Sequence, residues 1–152
     1  MTDAERPDES TIRIERTFNA PIQAVFAAWT SAELLRRWYP PGADWDTPVA
    51  EVDLRVGGRL WMVMRSPDGE EFGGSGVYRE ITPPTRLEFT WAWDRSDVAE
   101  GVQLVEIDFT GHPDGRTTVV MTNHGLIDEQ SRESHREGWE GSFDNLARLL
   151  SQ

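Results

Sequence analysis

The sequence predicts an α+β fold in which a curved antiparallel sheet of about seven strands wraps around one long C-terminal helix, with two short helices after the first strand. Two observations carry this. Trp139, Phe143, Leu146 and Leu150 recur at i, i+4, i+7 and i+11, a single buried helical face, while Glu133, Arg136, Glu137, Glu140 and Arg148 fall outside it. Between residues 47 and 124 the pattern changes to short runs punctuated by Gly57-Gly58, Pro67-Asp68-Gly69, Pro83-Pro84 and Pro113-Asp114-Gly115, as expected of an antiparallel meander. The closing helix is the only element long enough to cover the aromatic face of such a sheet.

Taken in order, Met1 to Ser10 hold Asp3, Glu5, Asp8 and Glu9 against Arg6 and show no hydrophobic periodicity, so residues 1–10 read as a frayed acidic leader and 11–152 as one domain. Ile12, Ile14 and Thr17-Phe18 mark a first strand. Pro21 then opens a short helix whose stripe is Ile22, Val25, Phe26 and Trp29. Ser31 can cap a second helix, with Glu33 in its first turn and Leu34, Leu35 and Trp38 as packing residues, until Pro40-Pro41-Gly42 stops it. Strands follow over Val49 to Leu54, Leu60 to Arg65, Phe72 to Ile81, Leu87 to Trp93, Val102 to Phe109 and Thr117 to His124. Asp128 caps the closing helix. Gly138 and Gly141 flank Trp139 inside it at a cost of about 1 kcal/mol each, which points to close approach to the sheet or to room for a ligand.

Composition removes several classes of chemistry. The 152 residues hold 15 basic side chains, all arginine, against 27 acidic ones, for a formal charge of −12. With no lysine there is no Schiff-base amine and no Walker-type phosphate loop. With no cysteine there is no thiol nucleophile, thiolate metal site or disulfide. The negative charge repels nucleic acid and anionic lipid, and no run approaches the roughly 18 apolar residues of a membrane span. Without a cationic segment followed by an apolar run, the expected location is cytoplasmic.

The aromatic load is the main functional signal. Phe89, Trp91 and Trp93 project from one face of a strand, and if Leu60, Met62 and Met64 share the inward phase of another, flexible thioethers stand beside these rigid rings. Such a lining suits a flat or bulky apolar ligand, although the same rings can simply fill a core. His124 ends the last strand and His135 lies four residues before Trp139 on the same helical face, so the two can meet near a pocket mouth. They lack the spacing of a metal site, and no metal is expected. Tyr78, Glu80, Glu106 and Asp108 are the other groups that could reach a cavity; if Val105, Ile107 and Phe109 point inward, the two acids between them face water. Gly73-Gly74-Ser75-Gly76 lies inside a strand with no helix after it, which argues against a phosphate loop or a nucleophile elbow. The connection from Trp38 through Tyr39, Pro40, Pro41 and Gly42 to Trp45 is stiff and hinged, and Trp38 or Trp45 is expected at the pocket entrance.

Several segments together resemble a known family. They are Phe18-Asn19-Ala20-Pro21 with Val25-Phe26 and Trp29, Leu35 to Trp38, Asp53-Leu54-Arg55-Val56-Gly57-Gly58-Arg59, Pro67-Asp68-Gly69, Gly76 to Pro84 with Leu87 and Trp91, and Gly138-Trp139. In order and spacing this chain is similar, over about Thr11 to Leu150, to the SRPBCC or START-like helix-grip superfamily. The branch is the one resembling the C-terminal domain of the activator of heat-shock-protein ATPase. The resemblance implies a deep apolar pocket between sheet and long helix, without a tightly bound cofactor or universal catalytic residues. The heat-shock activators carry a further domain ahead of this one, so co-chaperone activity does not transfer with the shared domain.

The expected function is therefore binding of a small hydrophobic or aromatic molecule, with Trp38, Trp45, Met62, Met64, Tyr78, Phe89, Trp91, Trp93, His124, His135, Trp139 and Phe143 as the contacting residues and no catalytic residue or cofactor assigned. Two alternatives stand beside it. One is an enzyme of the cyclase, dehydratase or hydrolase type in which Tyr78 or His124 moves a proton. The other is a protein-interaction module whose acidic surface docks a basic partner.

Overall fold

In the computed structural model, which describes residues 10–94 and 101–151, the chain runs β1 (Thr11–Phe18), α1 (Ile22–Thr30), α2 (Ala32–Trp38), β2 (Asp46–Val52), β3 (Arg59–Arg65), β4 (Glu71–Thr82), β5 (Arg86–Trp93), β6 (Gln103–Gly111), β7 (Thr117–His124) and α3 (Glu129–Leu150). Apart from Ser10, the expected acidic leader lies outside the described residues. The strands form one antiparallel sheet in the order β1-β7-β6-β5-β4-β3-β2. The chain meanders from β2 to β7, and β1 closes the row beside β7. The two short helices therefore carry the chain from one sheet edge to the other, and α3 lies across the concave face: this is the helix-grip fold.

Local chemistry sets the helix starts. Ser31 Oγ accepts from the Leu34 backbone N–H at 3.3 Å to open α2, and Asp128 Oδ1 accepts from the Ser131 N–H at 2.8 Å to open α3. The two Pro-Asp-Gly turns are built alike: Asp68 accepts from the Glu70 N–H and Asp114 from the Arg116 N–H, each at 3.0 Å.

Strand phase follows the alternation of the sequence. Leu60, Met62 and Met64 of β3, Leu87, Phe89 and Trp91 of β5, and Val105, Ile107 and Phe109 of β6 are all buried on the concave side. Most strand ends fall within two residues of expectation, and the largest difference is in β2. β2 starts at Asp46 rather than Val49 and ends at Val52 rather than Leu54. Asp46 is tied to Arg65 of β3 by an ion pair at 2.6 Å, and an irregular register between Asp46 and Val49 passes Pro48, which an edge strand tolerates. Leu54 belongs to the following turn and is exposed.

The core is densest where α1, α2 and the second half of α3 close over the sheet. Trp29 contacts Trp38 at 4.7 Å and Phe143 at 5.9 Å between ring centroids, both edge to face, and Phe143 meets Phe18 at 5.8 Å. Among the described residues no helix is long and apolar enough to cross a membrane.

Candidate functional site

Away from that core, the first half of α3 stands off the sheet and leaves a cavity of about 620 Å³. Its walls come from the sheet (Met64, Phe72, Trp91, Trp93), from α3 (His135, Gly138, Trp139) and from the α2–β2 connection (Tyr39, Pro41, Trp45). Three glycines shape it. A Cβ on Gly74 would come within 2.3 Å of the Trp91 ring, so the bare backbone of β4 is what lets that indole lie across its neighbour strand. A Cβ on Gly141 would stand 2.0 Å from the Pro41 carbonyl oxygen, whereas one on Gly138 meets nothing within 4 Å. The two helical glycines thus serve different ends: Gly141 admits the α2–β2 connection, and Gly138 keeps wall space open.

That connection is fastened along its first half. Ser142 Oγ donates to the Tyr39 carbonyl at 2.6 Å and Asn145 Nδ2 to the Pro40 carbonyl at 2.7 Å, so its position is fixed from α3. Tyr39 lines the cavity with its phenol pushed above the ordinary range by burial and, secondarily, by the Tyr78 phenol beside it; it stays protonated at any physiological pH. Trp45 follows the fastened part and leans on Phe72 at 5.6 Å.

Polar groups in the wall form two sets. At the mouth, His135 Nδ1 lies 2.8 Å from the Ser131 carbonyl, which can only accept, so Nδ1 carries the proton; Nε2 then accepts from Trp93 Nε1 at 3.4 Å. Deeper in, Trp139 Nε1 donates to Asn123 Oδ1 at 3.0 Å and Asn123 Nδ2 donates to Gln103 Oε1 at 3.0 Å. Both amides are 1% exposed, inward-facing, and part of the cavity wall.

Of the side chains expected to contact a ligand, Trp45, Met64, Trp91, Trp93, His135 and Trp139 line the cavity. Trp38, Met62, Tyr78, Phe89 and Phe143 do not: each is at most 2% exposed and belongs to the core around it. Trp38 is held there because its Nε1–H donates to the Ala28 carbonyl at 2.8 Å while its ring packs on Trp29, so the entrance position falls to Trp45 alone. Tyr78 packs against Phe89 at 6.1 Å, and burial pushes its phenol up. An irregular register after Tyr78 turns Glu80 to the convex face, where it pairs with Arg86 at 3.1 Å.

His124 is a second correction. Asn123 points inward, so its neighbour in the strand points outward. There His124 Nε2 pairs with Glu106 at 2.5 Å and Nδ1 lies 3.2 Å from Thr11 Oγ1, on the far side of the sheet from His135. Glu106 and Asp108 face outward as the alternation implied, and Arg86 binds Glu106 at 2.5 Å, Asp108 at 2.8 Å and Glu88 at 3.1 Å. Burial alone would push the Glu106 carboxyl up, but its bonds to His124 and Arg86 outweigh this and hold it below the usual carboxylate range. Among the described residues no three His, Asp or Glu side chains come together in a metal-holding group.

The sequence reading missed Gln103, Asn123 and Phe72, and named Tyr39 only as part of the entrance connection. Two of these had a signal. Extending the inward phase of β6 back from Val105 reaches Gln103, and extending that of β7 on from Met121 reaches Asn123, two amides at inward positions of apolar rows.

Comparison with known proteins agrees with this architecture. The sequence model of the family described as Activator of Hsp90 ATPase homolog 1-like protein matches residues 19–151. A solved protein from Chromobacterium violaceum is similar at 26% identity, with 94% of this chain and 98% of that one covered and a TM-score of 0.86. One from Nitrosomonas europaea shares 28% identity over 95% and 96% of the two chains, with a TM-score of 0.79. An AHSA1-like protein from Aeromonas hydrophila shares 30% identity over 93% and 92%, with a TM-score of 0.76. No curated protein matches the sequence.

Proposed function

The chain belongs to the family of Activator of Hsp90 ATPase homolog 1-like proteins, and we propose that it works as a binding module for a small hydrophobic or aromatic molecule held between the sheet and α3. The observation that carries this reading is the cavity itself. Its volume of about 620 Å³ falls in the range of small-molecule sites, and Trp45, Trp91, Trp93 and Trp139 present rings to it. Rigid indoles bind flat apolar bodies at little cost in side-chain entropy, and Met64 supplies a wall that adapts. A ligand of roughly 20 heavy atoms at about 0.3 to 0.4 kcal/mol per atom would bind with a micromolar dissociation constant.

Tyr78 and His124, the groups that would have moved protons in an enzymatic reading, stand outside the cavity wall, and nothing favours that reading over binding. Native mass spectrometry combined with quenching of tryptophan emission, run over a panel of lipids, polyketides and aromatic metabolites, tests the proposal. The expected result is one-to-one adducts that quench emission, weakened about tenfold or more in Trp93→Ala without loss of fold. A panel in which no compound binds would overturn it.

A further inference from the structure

We infer that the ligand carries a neutral hydrogen-bond acceptor, a carbonyl-type oxygen, on its apolar body, and that the side-chain amide of Gln103 is the donor that meets it; this rests on the binding role proposed above. The orientation of each group follows from chemistry. An indole N–H can only donate, so the Asn123 atom 3.0 Å from Trp139 Nε1 is the carbonyl oxygen. The amide nitrogen of Asn123 then faces Gln103 at 3.0 Å, with a second, longer bond to the His124 carbonyl at 3.3 Å, and a nitrogen donor requires that the Gln103 atom it meets be Oε1. What remains on Gln103 is its NH₂ group. That nitrogen is buried and has no hydrogen-bond partner, in a side chain that lines the cavity.

A buried donor without a partner costs more than an ordinary paired one contributes, so the unmet N–H marks where a ligand atom gains most. The relay from α3 through β7 to β6 has one polarity, and its free end is a donor, which selects an acceptor. The wall also selects against charge. Among the described residues no arginine lines the cavity, and the chain has no lysine, so a carboxylate there finds no cation among the described wall residues, while a ketone, ester or amide oxygen needs only the N–H. Tyr39, whose phenol keeps its proton, and the indole N–H groups of Trp45 and Trp91 are other donors in the wall, so the test must separate Gln103 from them.

The matched pair 9-fluorenone and fluorene, which differ by a carbonyl in place of a methylene, tests this. Affinities come from tryptophan quenching, and the infrared carbonyl stretch of bound fluorenone reports hydrogen bonding directly. Wild-type protein should bind fluorenone about tenfold tighter than fluorene, with the stretch shifted down from its value in alkane. In Gln103→Met the two affinities should converge and the stretch return to the alkane value. If Gln103→Met folds poorly, the wild-type spectrum and the fluorenone-to-fluorene ratio need no variant. Equal binding of the two compounds with an alkane-like stretch would leave the binding site standing and overturn the donor. Loss of the preference in Tyr39→Phe, with Gln103→Met unaffected, would also overturn it by moving the donor to Tyr39. Failure of both compounds to bind would remove the binding site and this inference together.

Discussion

At the closed end of the molecule Trp29 lies against Trp38 at 4.7 Å and Phe143 at 5.9 Å, both edge to face. At the open end Trp91 and Trp93 stand nearly perpendicular, 5.5 Å apart at 88°, with one side of each facing the cavity. The two ends use the same residue type to opposite effect. The difference comes from what lies above the sheet. Over the closed end α1 and α2 add a layer, so α3 need not reach the sheet alone; over the open end the described residues are those of α3, the β7–α3 connection and the Tyr39–Trp45 connection, and Gly138 withholds a side chain from the space between. Trp139 sits at the border, stacked on Trp29 at 5.9 Å and 25° on one side and exposed to the cavity on the other. Aromatic content therefore does not identify a pocket by itself; a missing layer does.

Truncating one ring at each end should separate the two most widely. Trp29→Ala removes a core indole and should cost about 3 to 5 kcal/mol of stability, whereas Trp93→Ala opens a part-exposed wall and should cost under about 1 kcal/mol. Urea midpoints with unchanged slopes would measure both. Similar losses at the two positions would mean the open end is packed like the closed one.

The helical glycines give a pair of opposite sign. Gly141→Ala drives a methyl into the Pro41 carbonyl and should lose about 1 to 3 kcal/mol. Gly138→Ala meets open space and should gain up to about 1 kcal/mol from helix propensity alone. Thermal unfolding of both variants checks the signs. A destabilised Gly138→Ala would show that the space above it is not free.

The smallest effect concerns the convex face, where the polar groups are ionic, unlike the neutral amides of the cavity wall. Glu106 titrates in the folded protein below its ordinary value of 4.5. Between those two values the unfolded chain binds a proton that the folded one does not. The stabilisation is thus complete above about pH 4.5 and lost as pH falls through the folded value. Glu106→Gln should flatten the acid limb of stability by at most about 1 kcal/mol, as befits a part-exposed cluster. An unchanged limb would show that the pairing with His124 and Arg86 adds nothing.

Much of the fold was legible because its two periods are clean. The α3 stripe and the alternation in β3, β5 and β6 each admit one solution, and Ser31 and Asp128 announce their helices by capping chemistry. The site was only half legible, since period gives the face of a residue and not its depth along the sheet. Met62, Phe89 and Phe143 share the inward phase of Met64, Trp91 and Trp139, but lie where the core is filled. His124 differs from expectation for another reason: the inward phase of β7 continues from Met121 to Asn123, two residues on, which turns His124 out and Asn123 in. Gly141 could not be interpreted at all without knowing that Pro41 lies against it.

The indole N–H resonances of the seven tryptophans test the division between filled and open ends most directly. In a titration of uniformly ¹⁵N-labelled protein with 9-fluorenone, the account predicts saturable shifts for Trp45, Trp91, Trp93 and Trp139, which line the cavity. Trp29 and Trp38 should hold still in the closed core, as should Trp61, which packs under Arg59 at 4.9 Å. Shifts centred on Trp29 and Trp38, or on Trp61 with the cavity tryptophans unmoved, would contradict it.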